Sequence, residues 1–555
     1  MSSDADKQAQ VEQLKAEGNA LHVKGDYAAA RSKYTDAIKL ELDGENAVLY
    51  ANRAATYIAL KQYLDAGRDA QKAVEIDPDY GKAWARLAKA TFELRVFSRS
   101  VQAWERALET LPAADLTPEQ QRLREQYEDG LKKAEAELER QDKSTSLEEH
   151  GLQAFQIPEA ERPWMRALKM EDVLTTNNVL NTSAWAIMNA YRDFSEGVRY
   201  MKQIKKTETG IEGNLNALQS IVSGILRDDR VFHMDSSDWL DLLQLQVQFE
   251  LTAHDGWSTG GPETVKEEAV KRQKEKGWKA VRMALAATIR AWFLRAYFAH
   301  RSGESEDLAL QYYNNVVDVL EWGVRTWHDV PTADRGFIFQ RTFIRGIKRL
   351  RMEAYLAALK QSEDDSKYNV EDVIEIANQM VDETTKNVPK DESDGPMDKG
   401  AWYSFFVYPV AEAHAYETTS DMFEARVLGA VFMQQGLSAK QANEAEQAEN
   451  MLAAAAKFYK KAAEMYPPDD ENFPFYLKIA FEAELHRGRP LSETLALCER
   501  IRKSLPAVLK IWEFSPSDKL KHHMRQVEEF EVRAYTGLLE GKYTMETPST
   551  EVPIS

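Results

Sequence analysis

Cysteine is almost absent, since the 555-residue chain holds one, Cys498. A lone thiol excludes an intrachain disulfide framework and any metal cluster built from cysteines alone, and it suits a reducing compartment. Cations are outnumbered, with 71 lysines and arginines against 90 acids and a formal net charge of −19. Nucleic acids and anionic membranes usually need a basic face, so neither is the expected partner, and an anionic ligand has to be met by a local basic site. Long apolar runs are missing as well. The most apolar stretch, ALAATIRAWFLRAYFAH (284–300), is interrupted by Arg290 and Arg295 and reads as a buried helix, so no membrane span is expected. The opening MSSDADKQAQ is polar and acidic and lacks a cationic-then-apolar leader. The expectation is a cytoplasmic protein in which the triplet Asn181, Thr182, Ser183 is not glycosylated.

Catalytic signatures are also missing. There is no HExxH, no phosphate loop and no Gly-x-Ser-x-Gly elbow. The stretch GLLEGKYT (537–544) is one residue short of a Walker loop and has Tyr543 where Ser or Thr is required. The ten histidines are scattered, and the adjacent pair His522 and His523 falls on different sides of a helix. Cys498, in an apolar helical segment, reads as a structural thiol. An adaptor is therefore expected, with no enzyme activity, cofactor or metal. An active site hidden between 165 and 540 would announce itself as convergent polar groups in a pocket.

What is present is globular material, 43% apolar and 29% charged, with an internal repeat near the start. Aligning AVLYANRAATYIALKQYLDAGRDAQKAVEIDP (47–78) with GKAWARLAKATFELRVFSRSVQAWERALETLP (81–112) sets Pro78 and Pro112 one 34-residue period apart. Tyr50 then matches Trp84, Ala66 matches Ser100 and Ala73 matches Ala107. The segment 11–40 fits the same frame through Gly18, Leu21, Ala30, Tyr34 and Ala37, with a connection two residues longer. Small residues mark where paired helices approach closely, and aromatics fill the gaps between neighbours. This pattern resembles the tetratricopeptide repeat (TPR) family, with three units over 11–114.

Thr117 and Pro118 then suit the N-cap and first position of a polar capping helix. Gly151, Pro158 and Pro163 break the periodicity after it. The fold class expected is all-α, a three-repeat TPR superhelix followed by degenerate TPR-like helical hairpins. Its divisions are repeats at 11–114, a capping helix at 115–145, a linker at 146–164, a helical region at 165–386 and a second linker at 387–400. A repeat-like region at 401–540, where Ala455, Tyr459, Ala462 and Pro467 return to the repeat spacing, and a disordered tail at 541–555 complete it.

In a TPR array the first helix of each unit lines the concave groove. Lys15 and Asn19 of the first unit, Asn52 of the second, and Lys82 and Arg86 of the third fall within roughly a 100° arc of that helical face. Lysine supplies a mobile point charge, arginine a fork matched to a carboxylate, and asparagine an amide that both donates and accepts. Such a set suits the free end of an extended acidic peptide. The arrangement resembles the carboxylate clamp of TPR co-chaperones, a family that includes the Hsp70/Hsp90-organising protein. All five positions match its motif. The resemblance implies binding to the Glu-Glu-Val-Asp terminus of cytosolic heat-shock chaperones, with the later helices holding a client or partner. A TPR scaffold binding another acidic peptide is the alternative.

Two further features read as structural. In RTFIRGIKRLR (341–351), Arg341, Arg345 and Arg349 recur every four residues, which predicts a solvated basic face pairing with the acids of adjacent helices. In AWYSFFVYP (401–409), Trp402, Tyr403, Phe405, Phe406 and Tyr408 predict core packing.

Overall fold

The computed structural model describes residues 4–41, 46–143, 157–208, 210–361, 367–386, 398–413, 439–515 and 519–553. Most of the two expected linkers, 146–156 and 387–397, lies outside the described residues, as do the side chains of His522 and His523. The fold is all-α as expected, and the one sheet among the described residues is a two-stranded hairpin, Lys205–Thr207 with Gly210–Glu212. No helix is long and apolar enough to cross a membrane among the described residues. The chain divides into two compact units, residues 1–152 with 251–335, and residues 153–250 with 336–555.

The first unit opens with three helix pairs: α1 (Asp4–Val23) and α2 (Tyr27–Leu40), α3 (Ala47–Ala59) and α4 (Tyr63–Ile76), α5 (Gly81–Glu93) and α6 (Phe97–Glu109). The alanines of the repeat make the pairing close. Ala30, Ala37, Ala66, Ala73 and Ala107 are wholly buried, and Ser100, at the place of Ala66, satisfies its hydroxyl on the Ala88 carbonyl at 2.8 Å. Gly18 is required for the same reason, because a Cβ there would stand 2.8 Å from the Tyr34 ring. Each pair turns on one left-handed residue, Gly25, Lys61 or Arg95, with φ of 81°, 57° and 57°. Only the first is the residue such a turn prefers. The other two persist because the turn closes on itself, with Gln62 N donating to the Tyr57 carbonyl and Val96 N to the Thr91 carbonyl.

Helix α7 (Pro118–Lys143) ends the array and begins with a reciprocal capping box. Gln120 N donates to Thr117 Oγ1, and Thr117 N donates to Gln120 Oε1. Gly130 lets α7 lie against Trp104, whose ring would meet a Cβ at 2.5 Å.

The first unit also contains a helix far along the chain, Pro262–Arg301, which breaks at Gly277 where φ is 78°. Its N-terminus is capped from outside by α4. Asp65, 1% exposed, accepts from Gly261 N at 2.9 Å, Glu263 N at 3.2 Å, Thr264 N at 3.0 Å and Thr264 Oγ1 at 2.7 Å. Burial pushes this carboxyl up while those four donors pull it down. Around it Arg31 pairs with Glu263 and Lys39 with Glu267.

The second unit packs helical hairpins. Ala184–Met201 and Ala217–Arg227 approach at backbone distance through Gly197 and Gly224. Helices Ala439–Met465 and Asn472–His486 pair, and Ala455, Tyr459 and Ala462 are buried as their repeat-like spacing predicts. The aromatic cluster is largely core, with Phe406 and Tyr408 buried, although Trp402 is 43% exposed. Cys498 is buried, and burial pushes its thiol up to about 12, as a structural thiol requires.

Two expectations are corrected. The basic stripe pairs with acids as expected but is not a solvated face, because only Arg341 is exposed while Arg345 and Arg349 are 0% and 4% exposed. Arg349 pairs with Asp229 and Glu412, both at 3.1 Å, and Arg345 donates to the Phe405 carbonyl at 2.9 Å. The acids that neutralise the stripe are distant in sequence, so its inward orientation was not visible there. The tail expected to be disordered is instead paired over 545–549. Leu491 N donates to the Thr547 carbonyl, Ser492 N to the Met545 carbonyl and Ser549 N to the Arg489 carbonyl, and Val552 is buried.

The same unit buries Arg230 against Asp228, Asp470 and Glu471, with its guanidinium 3.9 Å from the Trp512 ring centroid. Removing one partner of such a cluster leaves an unpaired buried charge, a loss of about 3–5 kcal/mol. Arg349→Ala is therefore expected to unfold the second unit at clearly lower urea, and an unchanged midpoint would refute the role given to its ion pairs. Asp65→Ala is expected to destabilise the first unit by about 2 kcal/mol, the upper end for a lost helix cap, with faster amide exchange at 261–264.

Candidate peptide-binding site

The five polar residues singled out in the repeats stand on α1, α3 and α5, the first helices of the three pairs. The 34-residue spacing brings three of them into direct contact. Asn52 Nδ2 donates to Asn19 Oδ1 at 3.1 Å, and Arg86 Nη1 donates to Asn52 Oδ1 at 3.4 Å. A fourth group completes the row, since the Tyr34 hydroxyl donates to Asn19 Oδ1 at 2.7 Å. The two lysines lie four residues before Asn19 and Arg86, about 6 Å along each helix. Both rest on nearby acids, Lys15 on Glu12 at 2.5 Å and Lys82 on Glu119 at 3.7 Å. Such exposed pairs are worth at most about 1 kcal/mol, so a stronger anion displaces them readily.

Arg86 differs from the other arginines of the core. Arg53, the residue after Asn52 on α3, is held bidentately by Asp69 at 2.6 and 2.9 Å. Arg86 has no ion pair among the described residues. Its electrostatic neighbours are phenols, those of Tyr80, Tyr34 and Tyr127. Burial consequently lowers the pKa of its guanidinium, and burial raises those of the Tyr34 and Tyr127 phenols against the pull of Arg86. A guanidinium has five N–H donors, and the amide and phenol partners leave capacity for an incoming oxyanion.

His22 joins this surface one turn beyond Asn19. Its Nδ1 lies 3.0 Å from Thr56 Oγ1, which itself donates to the Asn52 carbonyl at 3.0 Å. Tyr34 had a sequence signal as a repeat aromatic. Tyr80, Tyr127 and His22 had none, because their roles depend on which helices are neighbours.

No family model matches the chain. The chain is 36% identical over 135 residues to small glutamine-rich tetratricopeptide repeat-containing protein 2 of Saccharomyces cerevisiae, covering 24% of this chain and 37% of that protein. It is 38% identical over 98 residues to the heat-shock protein cognate co-chaperone sgt12 of Aspergillus fumigatus, 18% of this chain and 28% of the relative. It is 36% identical over 103 residues to the Hsp70-Hsp90 organizing protein of Triticum aestivum, 19% of this chain and 17% of the relative. The chain thus spans well under half the length of each of these relatives.

Burial, and after it the charge of Arg86, lowers the His22 pKa below the ordinary value. A base whose pKa is depressed by folding favours its neutral form in the fold. It costs nothing above the unfolded pKa of about 6.5 and opposes folding increasingly as pH falls through that value. An NMR titration is expected to place the His22 midpoint below about 6.5, and Arg86→Ala should move it upward; a midpoint unaffected by that substitution would separate His22 from the row. Over about a quarter of its length, the chain is similar to tetratricopeptide-repeat co-chaperones of the Sgt2 and Hsp70-Hsp90-organising type.

Proposed function

We propose that the groove formed by α1, α3 and α5 binds the free acidic C-terminus of a cytosolic heat-shock chaperone, and that the protein is an adaptor and not an enzyme. Lys15, Asn19, Asn52, Lys82 and Arg86 form the carboxylate-binding set. The observation that carries the reading is Arg86, a partly buried cation with no ion pair among the described residues, hydrogen-bonded to Asn52 and flanked by Lys82. Partial burial strips Arg86 of some of the water such a charge would otherwise keep, so an entering carboxylate gains more there than at the open surface. The names of the relatives, a heat-shock cognate co-chaperone and an Hsp70-Hsp90 organizing protein, agree with this ligand class.

A terminal acidic residue offers its side-chain and main-chain carboxylates together. Asn19 and Asn52, linked by their amides, form the middle of the groove, and Lys15 and Lys82 supply charge on either side. The second compact unit then serves for client or partner binding, and tethering raises the effective concentration of whatever it holds. Charge-assisted hydrogen bonds contribute roughly 1.5–3 kcal/mol each, and ordering a flexible tail takes back several. The balance is about −7 to −8 kcal/mol, or micromolar affinity.

Calorimetric titration tests this with the full chain, since residues 251–335 belong to the same compact unit as the repeats. A peptide ending in Glu-Glu-Val-Asp should bind with a free C-terminus and lose binding when amidated. Lys82→Ala and Arg86→Ala should each weaken it about tenfold or more. Equal binding of the amidated peptide would instead favour a scaffold that reads an internal acidic segment.

A further inference from the structure

A cleft of about 880 Å³ opens in the first unit between the repeats and the start of helix Pro262–Arg301, lined by residues of α2 to α6 and by 258–271. Three of its four acidic residues are neutralised by cations, and the fourth, Glu75, keeps its charge beside a neutral amide. Asp69 holds Arg53, Glu268 holds Arg68, Glu267 holds Lys39 at 3.2 Å, and Glu75 accepts from Gln71 at 2.9 Å. Three lining cations, Lys72, Arg99 and Lys271, have no ion pair among the described residues. Arg99 is aimed by a 2.7 Å hydrogen bond from its Nη2 to Gln71 Oε1, which fixes one edge of its guanidinium. In a chain of net charge −19, three unneutralised cations around one concavity form a local basic site separate from the groove.

The remaining lining selects among anions. Ser258 and Thr259, both exposed, present hydroxyls from a loop that continues through Gly260 at φ 87°. The helix N-terminus itself is unavailable, because Asp65 already takes its amides. Side chains therefore have to meet the ligand, and hydroxyl, ammonium and guanidinium donors together suit a tetrahedral oxyanion. With Glu75 still charged, the three cations leave the cleft about two positive charges in excess, which one phosphate matches. Leu87 and Leu94 add an apolar wall, and the volume lies within the range of small-molecule sites.

We propose that this cleft binds a small organic anion bearing at least one phosphate group. Lys72 and Arg99 of the repeats and Lys271 of the later helix hold the phosphate, and Ser258 and Thr259 donate to it. Binding would bridge the repeats and the helix at 262–276 within the first unit, and the ligand would stabilise their packing.

Titration calorimetry of the full chain with inositol hexakisphosphate tests the assignment. Saturable one-to-one binding is expected, weakened about tenfold or more in Lys72→Glu/Lys271→Glu. Both lysines are exposed, so the double variant should fold, with unfolding followed by circular dichroism as the check. Arg99→Ala should weaken binding in the same direction, while Lys82→Ala leaves it unchanged because Lys82 belongs to the groove. Absence of saturable binding, wild-type affinity in both the double variant and Arg99→Ala, or an equal loss in Lys82→Ala would overturn the proposal. Acidic-peptide binding by the Lys72→Glu/Lys271→Glu chain should persist, which keeps this outcome distinct from any failure of the groove reading.

Discussion

Close approach of paired helices is the constraint on which the first unit depends. Where Ala30, Ala66 and Ser100 sit, a larger side chain would force the second helix of a pair away from the first. Holding that distance constant three times is what places α1, α3 and α5 side by side, and their register sets Asn19, Asn52 and Arg86 in hydrogen-bonding range. The binding row is therefore a consequence of alanine packing some distance from it. Gly18 states the same rule next to the row, since the ring it makes room for is the ring whose hydroxyl reaches Asn19.

Buried charge then separates structural from functional residues. Arg53, Arg230 and Arg349 are each met by carboxylates, and Asp65 by four donors, so their charges are used up in holding elements together. Arg86 is as polar and nearly as enclosed, yet amide and phenol oxygens are its neighbours. A folded chain tolerates such a cation at the edge of a groove because water or a ligand can reach it. Arg53 and Arg86, both in first helices of repeats, thus differ in that the first is neutralised by Asp69 and the second has no ion pair among the described residues.

The relation between local pattern and tertiary pairing explains which expectations held. The all-α fold followed from the helical spacing of small and aromatic residues, and the alanines of 453–463 behaved as the repeat pattern requires. The stripe of Arg345 and Arg349 misled because spacing reveals a common face without telling whether that face meets water or Asp229 and Glu412. The tail misled in a similar way, since its ladder to 489–492 uses backbone groups that carry no sequence signature.

The sequence by itself determined the repeats, their period and the placing of five polar residues on the first helices, because these follow from spacing along single helices and between similar units. Only the tertiary structure decided that Asp65 caps a helix almost 200 residues later, that Tyr80 and Tyr127 surround Arg86, and that Lys271 shares a cleft with Lys72 and Arg99. Those partners are joined by long-range burial, and the free energy of burying a charge depends on every group that surrounds it in space and not on its neighbours in the chain.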